Sequence, residues 1–378
     1  MTRTWLRWMP AAVVPAVIAA GVLAGSVPAS AKDPLPSKTP AEVIALMAGQ
    51  HQAAFSGTLD QASSLGLPQL PTTGPGSSPE TAWLELLTGP HTARVYRNGT
   101  ENLRVQVLDR LAERDVIRSG NDLWLYSSKD NSAAHAVIPA DAGHQGMGKG
   151  AGSGTDAGAV PTPDALAAKL LAALEPTSDV AVAPDVDVAG RSAYQLVLTP
   201  KSPDTLMASA AIMVDGQTGL PLGVELKARG QADPAFRVAF SAISLTAPDA
   251  GIFQFTPPAG AGVKELPARD PSGKDHSGQA AKKPSGTGKD PQAGKRKVSG
   301  SGWDSVLELP AGTLTPPASG AAGATPGNAA ALLQQAAVPV AGGRLLSTAL
   351  LNVLILDDGR VFLGSVPLAR LQAAAGGQ

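Results

Sequence analysis

The side chains that could do chemistry are few and are scattered along the chain. Its five histidines do not stand at zinc-ligand spacing to one another or to paired carboxylates: His51, His91, His135, His144 and His276. The chain has no cysteine, which excludes a disulfide framework, thiolate catalysis and sulfur ligands for a metal. It has no Gly-x-Ser-x-Gly elbow, and the glycine-rich run 148–154 lacks the Gly-Lys-Ser/Thr ending of a phosphate-binding loop. We therefore predict no catalytic site, no metal and no cofactor, and a protein that is not an enzyme.

Two further motifs have simple structural explanations. Asp185 and Asp187 are a candidate carboxylate pair, but alternate positions on a short strand place both on one solvated face. Asn98-Gly99-Thr100 is a formal glycosylation sequon, yet it also has the sequence of a hairpin turn. Neither motif therefore predicts a functional site.

The regular feature of the chain is a series of short runs in which apolar and polar residues alternate. Alternation with period two predicts antiparallel strands with one face buried and one face wet. The runs form a first meander over 55–138 and a second series over 191–258. One shared apolar face gives the candidate ligand-binding residues: Phe55, Leu59, Val95, Leu103, Val105, Val107, Leu196, Leu198, Ile212, Val224, Leu226, Val238 and Phe240.

Two helices are predicted beside these strands, which makes the fold class α+β and mainly antiparallel β. Thr39-Pro40-Ala41-Glu42 is a capping-box start, and Thr162-Pro163-Asp164 begins a second helix with a leucine stripe. If the helices fill the concave side of the sheet, the thirteen apolar residues form an ordinary core. If the helices sit as a lid, those residues line an aliphatic pocket suited to acyl chains. The periodicity leaves both arrangements open.

The N-terminus has the pattern of a secretory signal peptide over 1–31. Arg3 and Arg7 precede an apolar run at 11–25, and Ala29-Ser30-Ala31 follows as a small-residue cleavage site. Ser26 stands where a lipoprotein would carry its acylated cysteine, which predicts release and not lipid anchoring. The alternative is an uncleaved membrane anchor, although the apolar run is short for a span. We expect an exported protein, at the extracytoplasmic face of the cell envelope or secreted.

Composition divides the mature chain into a domain at 32–263, a linker at 264–300 and a small C-terminal α/β segment at 301–378. Phe253-Gln254-Phe255-Thr256-Pro257-Pro258 is predicted as the edge where the large sheet stops, because proline cannot donate to a further strand. The linker is rich in Gly, Ser, Pro and Lys and carries a net positive charge, so we predict a solvated tether. Attraction to anionic lipid or cell-wall polymer is a weaker alternative. The C-terminal segment, with a hairpin and a short helix, is expected to dock on the main domain or to pair with its own copy.

Several of these motifs together resemble the LolA/LppX/RseB (MucB) superfamily of lipoprotein-carrier-like proteins. The residues that carry the resemblance are Phe55-Ser56-Gly57-Thr58-Leu59, the run from Val214 to Leu222, and the run from Phe253 to Val263. The resemblance covers about 39–263. It implies an incomplete, half-open β-barrel with helices over its concave face. The long loops at 63–79 and 143–159, the linker and the C-terminal segment depart from a minimal carrier.

The resemblance also gives the two functional expectations. The first is a non-enzymatic carrier-like protein that shelters the acyl chains of lipids or lipoproteins. The alternative is an envelope-stress regulator like RseB, which binds a membrane-bound anti-sigma factor. A structural envelope protein with a filled core is a third possibility. The formal net charge of −1 gives no attraction to nucleic acid, so no nucleic-acid partner is predicted.

Overall fold

The structure is a computed structural model that describes residues 34–49, 54–66, 89–108, 112–138, 162–266, 297–311 and 337–376. Within these ranges the fold is mainly antiparallel β with three α-helices. The predicted signal peptide and the predicted loop at 143–159 lie outside the described residues, as do most of the loop at 63–79 and of the linker.

A twelve-stranded sheet forms the main domain. Its strands are β1 Ala54–Ser63, β2 His91–Asn98, β3 Asn102–Leu108, β4 Glu113–Ser119, β5 Asp122–Ser127, β6 Ser132–Val137, β7 Ser178–Val188, β8 Arg191–Pro200, β9 Met207–Asp215, β10 Pro221–Ala228, β11 Phe236–Ser244 and β12 Gly262–Glu265. They are ordered β12-β6-β5-β4-β3-β2-β1-β11-β10-β9-β8-β7, so β12 and β7 are the two edges and the sheet is not closed. This open sheet, antiparallel except for the parallel pairing of β12 with β6, agrees with the predicted fold class.

Two meanders make up this sheet, and β1 joins them by pairing with β2 on one side and β11 on the other. Leu59 stands opposite both Ala93 and Phe240, which puts the apolar positions of the two meanders on the same face. We call this face the core face and the other one the outer face. All thirteen apolar residues named from the sequence lie on the core face.

Helix α1 (Pro40–Ala48) begins with the predicted capping box, in which the Thr39 side chain accepts from the Glu42 N–H. It seats against the turn between β9 and β10, where Gly219 has φ +75° and a Cβ would meet the Leu46 carbonyl oxygen at 2.3 Å. Asp215 holds this turn by accepting from the N–H groups of Gln217 and Thr218 at 2.9 and 2.8 Å, and it also pairs with Arg191. Burial raises the pKa of Asp215, but the hydrogen bonds from Arg191 and from the Thr218 and Gln217 N–H groups outweigh it. The pKa of Asp215 therefore lies below its usual range.

Helix α2 (Pro163–Leu174) contacts β10, while α1 contacts β7 and β8. Val43 of α1 and Ala167 of α2 are fully buried in the same hydrophobic core as the sheet residues. The main sheet contacts of both helices are therefore in the β7–β10 half.

A second, six-stranded sheet lies in the C-terminal region, in the order β13-β14-β18-β17-β16-β15. Its elements are β13 Lys297–Ser299, β14 Val306–Leu309, β15 Val338–Val340, β16 Gly343–Ser347, β17 Asn352–Leu356, β18 Val361–Gly364 and helix α3 Leu368–Gly376. It has its own small core of Val306, Leu354, Phe362, Val366 and Leu371. The sequence predicted a strand at 306–309, one hairpin and a short helix here, but not β13, β15 or β16, because strands of three to five residues are too short for a periodic pattern.

The second sheet docks on the main domain through a buried tryptophan. Trp303 is 4% exposed, belongs to the main core, and its indole N–H donates to the Ser178 hydroxyl at 2.7 Å. On the same side, the Ser365 carbonyl accepts from the Leu206 N–H at 2.9 Å and the Thr205 hydroxyl at 2.7 Å. Docking of the C-terminal part was one of the two arrangements expected from the sequence.

Two boundaries differ from the sequence expectations. The segment 253–258 is not a sheet edge: it follows a short helical turn, and the Phe255 ring lies 5.4 Å from Trp124 and 5.5 Å from Tyr126. The linker predicted at 264–300 begins inside β12 and ends after β13. Both strands are short and exposed, so they form by pairing with a neighbouring strand. Their own residue pattern does not predict a strand.

Candidate functional site

The thirteen apolar residues predicted as ligand-binding form one hydrophobic core. Eleven of them are 0–4% exposed, and the other two, Leu103 and Leu226, are partly buried against the same cluster. Aromatic packing contributes, since the Phe55 and Phe240 rings meet edge to face at 5.8 Å. The described residues thus fill this part of the core face with their own side chains. That the thirteen residues contact a ligand stays a prediction.

The side chains of the core face are less buried where that face continues onto β4, β5 and β6. Strand pairing aligns one row of side chains across the sheet, in the order Val95, Val105, Val116, Leu125, Ala134 and Lys264. Val95 and Val105 are buried, but Val116, Leu125 and Ala134 are only partly buried and Lys264 is exposed. The apolar surface therefore runs continuously from the closed core to an edge that is open to solvent.

This open end forms a groove of about 290 Å³. Two rows of residues line it. One is the row Val116, Leu125, Ala134 and Lys264, and the other is a parallel polar row of Arg114, Ser127 and Ser132 that ends at Gly262. Asp115, Tyr126 and Ala133 complete the lining. The volume lies at the lower end of the range for ligand pockets, and an apolar floor with a few polar groups is their usual composition. We take this groove as the candidate functional site.

Behind the groove, strand β4 also packs its outer face against protein. Ile117 is fully buried, and the Asp115 carboxylate, 1% exposed, accepts from Arg104 at 2.5 Å. Arg104 also donates to the Ile252 carbonyl at 3.2 Å, which ties the segment 250–253 across these strands. Burial raises the pKa of Asp115 and outweighs the opposing effect of Arg104. The register places the Asp115 side chain on the outer face, and Asp115 is also one of the residues that line the groove.

Strand β12 completes the groove at the sheet edge, and a histidine fixes it there. The two ring nitrogens of His135 each form a hydrogen bond with a carboxylate: Nε2 lies 3.0 Å from an Asp122 oxygen and Nδ1 lies 2.9 Å from a Glu265 oxygen. The His135 ring also stacks on Trp124, with the ring centroids 4.3 Å apart. The hydrogen bonds to Asp122 and Glu265 raise the pKa of His135, against a smaller opposing effect of burial. Because Glu265 is held on the outer face, the alternation of β12 directs Lys264 to the groove.

The groove residues were not predicted from the sequence, although a signal for them exists. Strands β4, β5 and β6 were predicted, but the alternation did not assign their faces. The short turn 119–122 fixes the pairing of β4 with β5, and that pairing places Val116 opposite Leu125. The alternation alone did not decide the face, because Ile117, Trp124 and Tyr126 make the outer face apolar as well.

The histidines that the structure describes are His91 and His135. Within the described ranges, no three metal-ligating side chains come together as a metal site. His135 uses both ring nitrogens for the two carboxylates on either side of it. The predicted absence of a metal and of a cofactor stays a prediction for the whole chain.

Comparisons with known proteins give matches only among solved structures. No protein-family model matches the chain, and no curated protein matches its sequence. The chain is similar to the complex of MucA and MucB from Pseudomonas aeruginosa, with 16% identity, a TM-score of 0.42, and coverage of 89% of this chain and 96% of that one. It is also similar to a LolA superfamily protein from Nitrosomonas europaea, with 11% identity and a TM-score of 0.23 over 58% of this chain and 99% of that one.

A third similar structure is a putative outer membrane lipoprotein-sorting protein domain from Vibrio parahaemolyticus, at 9% identity, a TM-score of 0.23, and coverage of 56% of this chain and 94% of that one. Two of these names, MucB and LolA superfamily, are also those of the superfamily that the sequence resembles. At these TM-scores the likeness carries no argument about what this chain binds.

Proposed function

We propose that this protein is a non-enzymatic, carrier-like lipid-binding protein whose groove shelters an acyl chain. One observation carries the proposal. The row of apolar side chains from Val95 to Ala134 leads from the buried core to a partly exposed floor, which lies under a groove of about 290 Å³. A partly exposed apolar floor loses water when an apolar chain covers it. Each methylene buried in this way contributes about 0.8 kcal/mol, so a long chain binds without any catalytic or metal group.

The groove, and not the closed core, is the place we propose for the chain. Leu196, Ile212 and Val224 are fully buried by neighbouring protein atoms, so a ligand there would first have to displace close-packed side chains. Val116, Leu125 and Ala134 require no such displacement. The sheet edge at β12 also leaves one side of the groove open to solvent, which gives the chain an entry path.

We further propose that the protein acts outside the cytoplasm, because its first 31 residues have the pattern of a secretory signal peptide. Among the described residues, no helix has the length and apolarity needed to cross a membrane. A signal peptide and a lipid-binding groove together fit a protein that handles lipid at the cell envelope.

The test is native mass spectrometry of the protein isolated from the compartment to which its own cells export it. We expect a bound mass that organic solvent extracts as lipid, and we expect Leu125→Gln to lose it. Val137→Gln is the matched control, since Val137 is a 48% exposed aliphatic residue on β6 whose register places it on the outer face. Only apo mass in the native protein, or equal lipid in both variants, would refute the proposal.

The second candidate is a regulatory role in which the C-terminal sheet binds a membrane protein. The observation that favours it is β13, an edge strand whose three residues are all exposed, including Val298 at 62%. An exposed edge can accept a strand of a partner by main-chain pairing. Binding of a membrane partner that persists after deletion of 297–378 would argue against this candidate.

A further inference from the structure

The C-terminal sheet has a cavity of its own, of about 260 Å³, beside helix α3. The turn between β13 and β14 contributes Asp304 to its lining, β14 contributes Val306, and α3 contributes Arg370, Ala373 and Ala374. None of these residues lines the groove of the main sheet. The volume is just below the usual range for ligand pockets, so a ligand of this cavity would be a small molecule.

Asp304 and Arg370 bring one negative and one positive group to this cavity. Neither the carboxylate nor the guanidinium forms a hydrogen bond or an ion pair with another residue that the structure describes. Oδ1 of Asp304 is buried and has no hydrogen-bond partner among those residues. A carboxylate that has lost part of its hydration without a replacement gains more from a new donor than a fully hydrated carboxylate does. The cavity therefore offers complementary charges to a ligand that carries both signs.

Buried neighbours fix the positions of both charged residues in the chain. Asp304 directly follows Trp303, which is 4% exposed and is hydrogen-bonded to the main domain. Arg370 directly precedes Leu371, which is fully buried. Gly300 has φ +82°, and a Cβ there would collide with the Asp304 carbonyl oxygen, so the turn closes tightly around Asp304. The backbone of the site is thus ordered before a ligand binds, which lowers the entropy cost of binding.

We propose that this cavity binds a small aliphatic amino acid, with the ammonium group of the ligand on Asp304 and its carboxylate on Arg370. A guanidinium can donate two parallel hydrogen bonds to a carboxylate, and an ammonium group supplies a donor for Asp304. The side chains of Val306, Ala373 and Ala374 are apolar, which suits a short aliphatic side chain and gives a polar one no partner. This inference is independent of the proposed function, since the lipid-binding groove takes no part in it.

The test is calorimetric titration of the full-length mature protein with L-valine and with two molecules that each lack one of its charged groups. Isobutylamine keeps the ammonium group without the carboxylate, and isovalerate keeps the carboxylate without the ammonium group. We expect L-valine to bind at least about tenfold more tightly than either molecule, because only L-valine meets both charges. If L-valine does not bind, or binds no better than isobutylamine or isovalerate, the inference is overturned and the proposed function still stands.

Variants of the two charged residues should separate their roles. Asp304→Asn and Arg370→Gln should each weaken the binding of L-valine about tenfold or more, whereas Arg370→Gln should not weaken that of isobutylamine. Arg370 is exposed, so its variant keeps the fold and the test stands even if Asp304→Asn fails to fold. Asp357→Asn is the matched control, since Asp357 is an exposed carboxylate after β17 that does not line the cavity. Unchanged binding of L-valine to Arg370→Gln, or an equal loss in Asp357→Asn, would contradict the assignment.

An ammonium group close to an anionic group also occurs in the phosphoethanolamine headgroup of lipids. O-Phosphoethanolamine is therefore titrated in the same way. It has no aliphatic side chain to contact the apolar lining, so we expect it to bind more weakly than L-valine. Tighter binding of O-phosphoethanolamine would assign the cavity to a lipid headgroup, and the proposal of an amino acid would be wrong.

Discussion

The length of the groove predicts how affinity depends on the length of the bound chain. From Val116 on β4 to Lys264 on β12 the floor crosses three strand spacings, which is about 14 Å at about 4.8 Å per spacing. An extended chain advances about 1.2 Å per bond, so about twelve carbons cover this distance. The groove is open on one side, so each methylene contributes between about 0.4 and about 0.8 kcal/mol, or about two- to fourfold in Kd.

The assay is calorimetric titration of the mature protein with alkyl phosphates from hexyl to octadecyl. We expect log Kd to fall steadily from hexyl to dodecyl and then to level off, because further methylenes meet the closed core at Val105. Leu125→Gln should flatten the slope in the middle of the series, while Val137→Gln should leave it unchanged. A Kd that is independent of chain length, or that keeps falling to octadecyl, would refute this account of the groove.

Two further predictions concern the surroundings of the groove. Arg104→Met removes the partner of the buried Asp115 carboxylate and should cost about 3–5 kcal/mol in urea unfolding at neutral pH. The loss should shrink at acid pH, since burial raises the pKa of Asp115 and the folded variant takes up the proton; a loss that is the same at all pH values would contradict this reasoning. His135 has a raised pKa, so its clamp on Glu265 should be fully present below about pH 6.5 and weaken as pH rises through the higher folded value. The protection factors of the β12 amides, which are corrected for the intrinsic pH dependence of exchange, should then fall in that range, and His135→Gln should abolish the fall; protection factors that stay constant across the range in the unaltered protein would sink the idea.

Many strands of the main domain could be predicted from the sequence, because apolar residues alternate regularly there with polar or small ones. Val238 and Phe240 alternate with polar or small residues, Arg237, Ala239 and Ser241, and the structure buries both on the core face. The capping box at Thr39 likewise specified the start of α1. Local patterns of this kind depend on residues close in sequence, so they can be recognised without knowing the fold.

The groove could not be predicted in the same way, because long-range contacts create it. Burial of Ile117 and Asp115 on the outer face requires the segment 250–255, which lies more than a hundred residues away in sequence. Strand β12 also forms only by pairing with β6, and its four residues are exposed. Without β12 in place, nothing in the sequence marks Lys264 as a groove residue and not part of a linker.

The most direct test of the central claim is to map where an acyl chain sits on the protein. A dodecyl phosphate with a diazirine near the middle of its chain would be photolysed on the mature protein, and the labelled peptides identified by mass spectrometry. We predict labelling of strands β4 and β5, at or next to Val116 and Leu125. Labelling concentrated on β8 and β9, around Leu196 and Ile212, would show that the chain enters the core and would contradict the account.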